Sequence, residues 1–218
     1  MRSWLLLAAC VGLALPMRAE PDAALRVDFS NPGLMPAQWT LVLHPDGSGH
    51  FHAERGTAKL DADHGMEPAR VDRDVQLSSA FAAKVFEVVH RHHDLQGAKC
   101  ESHLKVAFQG WKTLTYTGPD GSGSCEFNYS KDKEIQELGD SFMAVASTIV
   151  EGARLELLLQ HDPLGLAQEI EFVQDGARDG RLQEICAIRG ILQKLEEDSS
   201  VMELVRRRAR VLLAESEK

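Results

Sequence analysis

Histidine carries the first chemical suggestion in this chain. His44, His50 and His52 belong to one expected hairpin. His44 and His50 flank its turn, and His50 and His52 stand two apart on a strand, hence on one face. His90, His92 and His93 close an expected helix, with His90 and His93 one turn apart. Imidazoles drawn from two elements can hold zinc or copper. A Zn or Cu site built from His44, His50, His52, His90 and His93 is therefore one expectation, and it requires the two clusters to converge. The plainer reading is surface histidines, the second group complementing a helix C-terminal dipole.

Other catalytic patterns are thinner. Ser130-Lys131-Asp132-Lys133 fits the Ser-x-x-Lys pattern of serine acyl-transfer enzymes, but the companion Ser-Asp-Asn and Lys-Thr-Gly elements are missing. Ser130 is explained as a helix cap. Glu87-Val88-Val89-His90 is a single Glu-x-x-His where a di-iron bundle needs two. No Gly-x-Ser-x-Gly, His-Glu-x-x-His, phosphate-loop or dinucleotide fingerprint occurs. The turns at Asp46 and Asp120 lack the acidic ladder of a calcium loop. No catalytic residue and no cofactor-binding residue is assigned, and the reading leans away from an enzyme.

The element that organises the chain is Cys100 to Tyr129, read as three antiparallel strands. Leu104, Val106 and Phe108 alternate with His103, Lys105 and Ala107, and period two with one apolar face is the pattern of a half-buried strand. Gln109-Gly110 and Pro119-Asp120-Gly121 then turn the chain. Cys100 precedes the first strand and Cys125 follows the second turn at the same end, so a Cys100–Cys125 disulfide is expected. Cys186 is left over as a buried thiol on a helix.

Around this stretch the reading is α+β: a small antiparallel sheet of two hairpin or meander units, with helices packed on one face. Residues 1–19 read as a signal peptide, from a positive start, an apolar run from Trp4 to Leu15 and small Ala19 at the end. Leu7-Ala8-Ala9-Cys10 offers a lipoprotein box as the lesser alternative. Residues 20–37, with Pro21, Pro32 and Pro36, read as an extended lead-in. Residues 38–160 form the α+β domain and 161–218 an all-helical extension of two or three antiparallel helices. The long helix before His161 carries Ile135, Leu138, Phe142, Val145 and Ile149 as one stripe. Gly139 and Gly152 weaken it and invite a bend.

An echo runs through the sheet. Thr40-Leu41-Val42-Leu43-His44-Pro45-Asp46-Gly47-Ser48-Gly49 is matched by Thr113-Leu114-Thr115-Tyr116-Thr117-Gly118-Pro119-Asp120-Gly121-Ser122-Gly123 with one residue inserted. It is either a duplicated hairpin–helix unit or ordinary turn chemistry.

The net charge of −9 becomes −11 when Arg2 and Arg18 leave with the signal. An acidic chain argues against nucleic acid as a partner. The run Arg206-Arg207-Arg208-Ala209-Arg210 reads as a solvated helix face, with an anionic partner as the sharper alternative. No stretch after the signal is long and apolar enough for a membrane helix. The expectation is a secreted or periplasmic, non-enzymatic binding module with a protein partner. The alternatives are the Zn or Cu protein and an envelope component assembling through its C-terminal helices. Trp39, Trp111, Tyr116, Phe127 and Tyr129 would make a binding surface if one sheet face were uncovered.

Overall fold

The computed structural model describes residues 23–56 and 66–216. The expected signal peptide with Cys10 lies outside the described residues. The fold is α+β. A six-stranded, wholly antiparallel sheet is formed by β1 (Ala24–Ser30), β2 (Gln38–Leu43), β3 (Ser48–Glu54), β4 (Arg70–Gln76), β5 (Trp111–Gly118) and β6 (Gly121–Phe127), in the order β4-β3-β2-β1-β5-β6. Helix α1 (Ser79–Arg91) follows β4, and α2 (Lys133–His161) follows β6. Three further helices complete the chain: α3 (Leu166–Asp179), α4 (Arg189–Glu197) and α5 (Glu203–Glu215).

Two expectations are corrected here, for one reason. The lead-in is not a lead-in: its Leu25, Val27 and Phe29 are buried and alternate with Arg26, Asp28 and Ser30, and β1 sits at the centre of the sheet. The segment 103–108 is not a strand. β5 already has β1 on one edge and β6 on the other, so neither of its edges is left for a third partner. Leu104, Val106 and Phe108 consequently point to water.

The echo acquires a geometric meaning. β2 and β5 flank β1 in the same register: Thr40 and Thr113 both lie opposite Asp28, Leu41 and Leu114 opposite Val27, and Leu43 and Tyr116 opposite Leu25. The two echoed segments occupy equivalent places on either side of one strand.

One sheet face packs on α1 and α2. Phe51, Leu114, Tyr116 and Phe127 meet Val85 and Val89 from α1 and Phe142, Val145 and Ile149 from α2. Ser78 caps α1 by accepting the Phe81 N–H, and Asp132, rather than Ser130, caps α2 through the Glu134 and Ile135 N–H groups. The last turns of α2, through Leu155 and Leu158, belong to a second core with α3, α4 and α5. α2 thus runs from the sheet core into the helical one. α2 runs uninterrupted through Gly152; a β-carbon there would stand 2.3 Å from Ile188 Cγ2, so the glycine lets the extension pack close.

The expected extension is not helical throughout between α3 and α4. Gly180 ends α3 at φ 82°, Glu184 adopts φ 56°, and a 3₁₀ turn at Ile185–Ile188 leads into α4. Glu184 explains its conformation: its carboxylate accepts the Ser78 N–H at 2.6 Å and the Ser78 hydroxyl at 3.0 Å, tying the extension to the start of α1. Cys186 therefore sits on the 3₁₀ turn, half-buried, with burial pushing its thiol up to about 11.

Cys100 and Cys125 are at disulfide distance, with sulfurs 2.19 Å and Cα atoms 5.7 Å apart. Closing this loop, a sequence separation of 25, contributes roughly 3–4 kcal/mol in the chain-entropy model. Cys125→Ser is expected to lower the urea midpoint accordingly, and reducing agent is expected to lower the wild-type midpoint to match. A reductant-insensitive wild type would contradict the pairing.

Candidate functional site

All side chains on the second face of the sheet point away from α1 and α2. Among the described residues no helix covers that face, so it is open to solvent. Asp28 stands at its centre. Thr40 Oγ1 donates to Asp28 Oδ1 at 2.6 Å, and Arg26 binds the same carboxylate in a fork at 2.6 and 2.7 Å. Around Asp28 lies a depression of about 480 Å³ lined by Thr40, His52, Glu54, Trp111, Thr113 and Glu126 among others. Its lining includes three carboxylates and no Lys or Arg.

Trp111 is the aromatic of this face, 42% exposed, opposite Ser30 at the end of β5. The other strand aromatics expected to form such a surface, Trp39, Tyr116 and Phe127, face the covered side and are buried. Trp39 stacks on Phe29 at 5.4 Å. Tyr129 follows β6 and is half-buried.

Beside Trp111 runs the ribbon 101–110, whose apolar side chains Leu104, Val106 and Phe108 are 48%, 40% and 52% exposed. Phe108 meets Trp111 edge-on at 6.1 Å. The ribbon is well tied. Glu101 accepts the Asn128 N–H at 2.7 Å, and this bond holds its carboxyl below the usual range. Asn128 takes the Gln109 N–H at 2.7 Å and donates to Ala107 O, while Asn31 donates to Gln109 O. Lys112, buried on the covered face, donates to Asn128 O at 3.0 Å and lies over the Phe127 ring. Desolvation lowers its pKa. Leu104, Val106 and Phe108 are thus exposed on a segment whose backbone is held at both ends by hydrogen bonds.

The histidines divide. His50 and His52 lie on the open face beside β4: His50 Nδ1 meets Asp74 at 2.8 Å, His50 Nε2 meets Asp72 at 3.1 Å, and His52 Nδ1 meets Asp72 at 3.0 Å. The Asp74 bond holds His50 above its ordinary pKa, and Arg70 and His52 hold Asp72 below its own. His44 lines a shallow depression with His50 and Asp74. His90 lies on the opposite side of the sheet, bonded to Asp94 at 2.7 Å and edge-on to buried Tyr116. His93 is not one helical turn from His90, because His93, Asp94 and Leu95 all take positive φ after the helix ends. The two clusters therefore do not form one site. Among the described residues no three His, Cys, Asp or Glu side chains are grouped to hold a metal.

The other candidates are absorbed by structure. Ser130 is buried, accepting the Asp132 N–H, while exposed Lys133 reaches Glu137. Arg206, Arg208 and Arg210 pair with Glu203, Glu171 and Glu196, and so tie α5 to itself, to α3 and to α4.

Sequence reasoning missed a carboxyl pair where α2 meets α3, of buried Glu169 and partly buried Glu151. Arg154 lies between Glu67 at 3.1 Å and Glu169 at 3.0 Å. Beside them Glu151 bonds Glu169, and burial first, then this bond, push Glu151 up to about 9. Glu151 Oε2 and Glu169 Oε1 have no other hydrogen-bond partner among the described residues, which one shared proton resolves. Glu151 also borders a cavity of about 240 Å³ lined with Leu34, Met35, Met143 and Val150. No motif marks this pair, since its members come from positions 18 apart on two helices.

Among comparisons with known proteins, no family model and no curated protein matches this chain.

Proposed function

We propose that this chain is an exported, non-enzymatic binding module that engages a partner polypeptide across the open face of its sheet. One observation carries the reading: a six-stranded sheet keeps its helices on one side, and the bare side joins exposed Trp111 to a firmly tied apolar ribbon. An uncovered antiparallel face is ordinary when it is merely polar. Exposed Leu104, Val106 and Phe108 on one short segment, with Phe108 against exposed Trp111, are not, because such apolar surface marks an interaction site. Export is supported by the signal-like residues 1–19 and by the disulfide-distance pair, which suits an oxidising compartment.

Assembly through the C-terminal helices is the second reading. It is favoured by exposed Leu204 and Val211, seven residues apart on α5. Site-specific cross-linking separates the two. A photo-reactive phenylalanine analogue at position 113, on the open face, is expected to give a discrete adduct in the producing cell. The same analogue at position 204 is expected to give none. An adduct at 204 alone would contradict the open-face reading in favour of helical assembly.

A further inference from the structure

Resting on that reading, we propose that the segment docked on the open face is a basic one: an extended stretch of polypeptide whose arginine or lysine stacks on Trp111 among Asp28, Glu54 and Glu126, with an apolar neighbour against Phe108. The charge of the face argues for it. The acids Asp28, Glu54, Asp72, Asp74 and Glu126 point outward, and the arginines of the face are already engaged, Arg26 with Asp28 and Arg70 with Asp72. Glu54 and Glu126 have no arginine or lysine partner in the depression they line. The whole chain carries −9, so the wider field has the same sign. Such a surface attracts cations and repels nucleic acid and anionic lipid.

The geometry selects among cations. An exposed indole next to carboxylates is a seat for a guanidinium, which stacks on the ring and forks to a carboxylate at once. Thr113 helps place that carboxylate, its hydroxyl lying 3.3 Å from Glu126 Oε2. A free polyamine would satisfy the charge and leave the Phe108–Trp111 rim wet. A chain with alternating side chains matches both, because neighbours two apart on an extended segment lie roughly 7 Å from each other. The face, roughly 24 Å across six strands, is wide enough for such a segment.

The test is calorimetric, on the protein begun at Glu20. Three capped peptides are titrated: Arg-Leu-Arg-Leu-Arg, the same peptide with citrulline in place of arginine, and the same with glutamate. The arginine peptide is expected to bind roughly tenfold tighter than the citrulline peptide, as several exposed charge pairs together would give, and the glutamate peptide not at all. Trp111→Ala is expected to weaken it about fivefold, and Glu54→Gln and Glu126→Gln about twofold each. Equal binding of the citrulline peptide, lost with Trp111→Ala, would overturn the basic-segment proposal and leave the open-face reading standing. Arginine-peptide binding unchanged in all three variants would show only attraction to an acidic protein, and would also overturn it. No binding by any peptide at millimolar concentration overturns it too, and the cross-link at position 113 then judges the open-face reading separately.

Discussion

Gly123→Ala is expected to destabilise the folded chain by about 3 kcal/mol, an overpacking penalty with no relief. A β-carbon at Gly123 would stand 2.3 Å from Asp94 O and 2.3 Å from the Leu95 carbonyl carbon. Both are backbone atoms, so no side-chain rotation clears the clash. They belong to the turn His93–Leu95, whose three positive φ values leave it little room to shift. Ser122→Ala, on the open side of the same strand, is expected to change stability by less than about 0.5 kcal/mol. Urea midpoints of the two variants check this. Equal midpoints would mean that the turn does not lie against β6.

The second large effect is a dependence of stability on pH set by Glu151. In the fold its carboxyl is held up at about 9 by burial and by the bond to Glu169; the ordinary value is 4.5. Between these values the folded chain keeps a proton that the unfolded chain has released. Raising the pH therefore favours unfolding, with a slope approaching ~1.4 kcal/mol per unit, and the loss levels off above the folded pKa. Below the unfolded pKa both states carry the proton and the penalty vanishes. Glu151→Gln supplies a neutral donor to Glu169 at every pH. It is expected to unfold at higher temperature than wild type at pH 8, with the gap closing toward pH 4. Melting curves at pH 4, 6 and 8 decide it. A gap that stays constant, or grows toward acid, would mean that the pair shares no proton.

Much of the fold is legible in the sequence. The stripe through Ile135, Phe142 and Ile149 marks α2, and the hairpin turns at Asp46 and Asp120 sit where their residues place them. β1 was readable as well. Leu25, Val27 and Phe29 alternate as cleanly as any strand, but nearby Pro21, Pro32 and Pro36 point to an extended lead-in. Leu104, Val106 and Phe108 show the same period without a ladder. Alternation reports a segment able to pair, while pairing depends on a free edge, and β1 had taken it.

The site was less legible because it depends on which strands become neighbours. Asp28 gains its place only when β1 sits between β2 and β5. The histidine clusters could be named but not placed; the sheet passes between them. Lys112, flanked by Trp111 and Thr113, looks like a surface lysine until the pleat turns it inward.

The account rests on one sheet face being bare, and Trp111 reports on that directly. In protein begun at Glu20 with Trp39→Phe, Trp111 is the sole tryptophan. Its emission is predicted to be red-shifted, as for an indole in water, and strongly quenched by acrylamide in the native state, nearly as much as in urea. Blue-shifted native emission that acrylamide does not reach would show the face to be covered and would contradict the account.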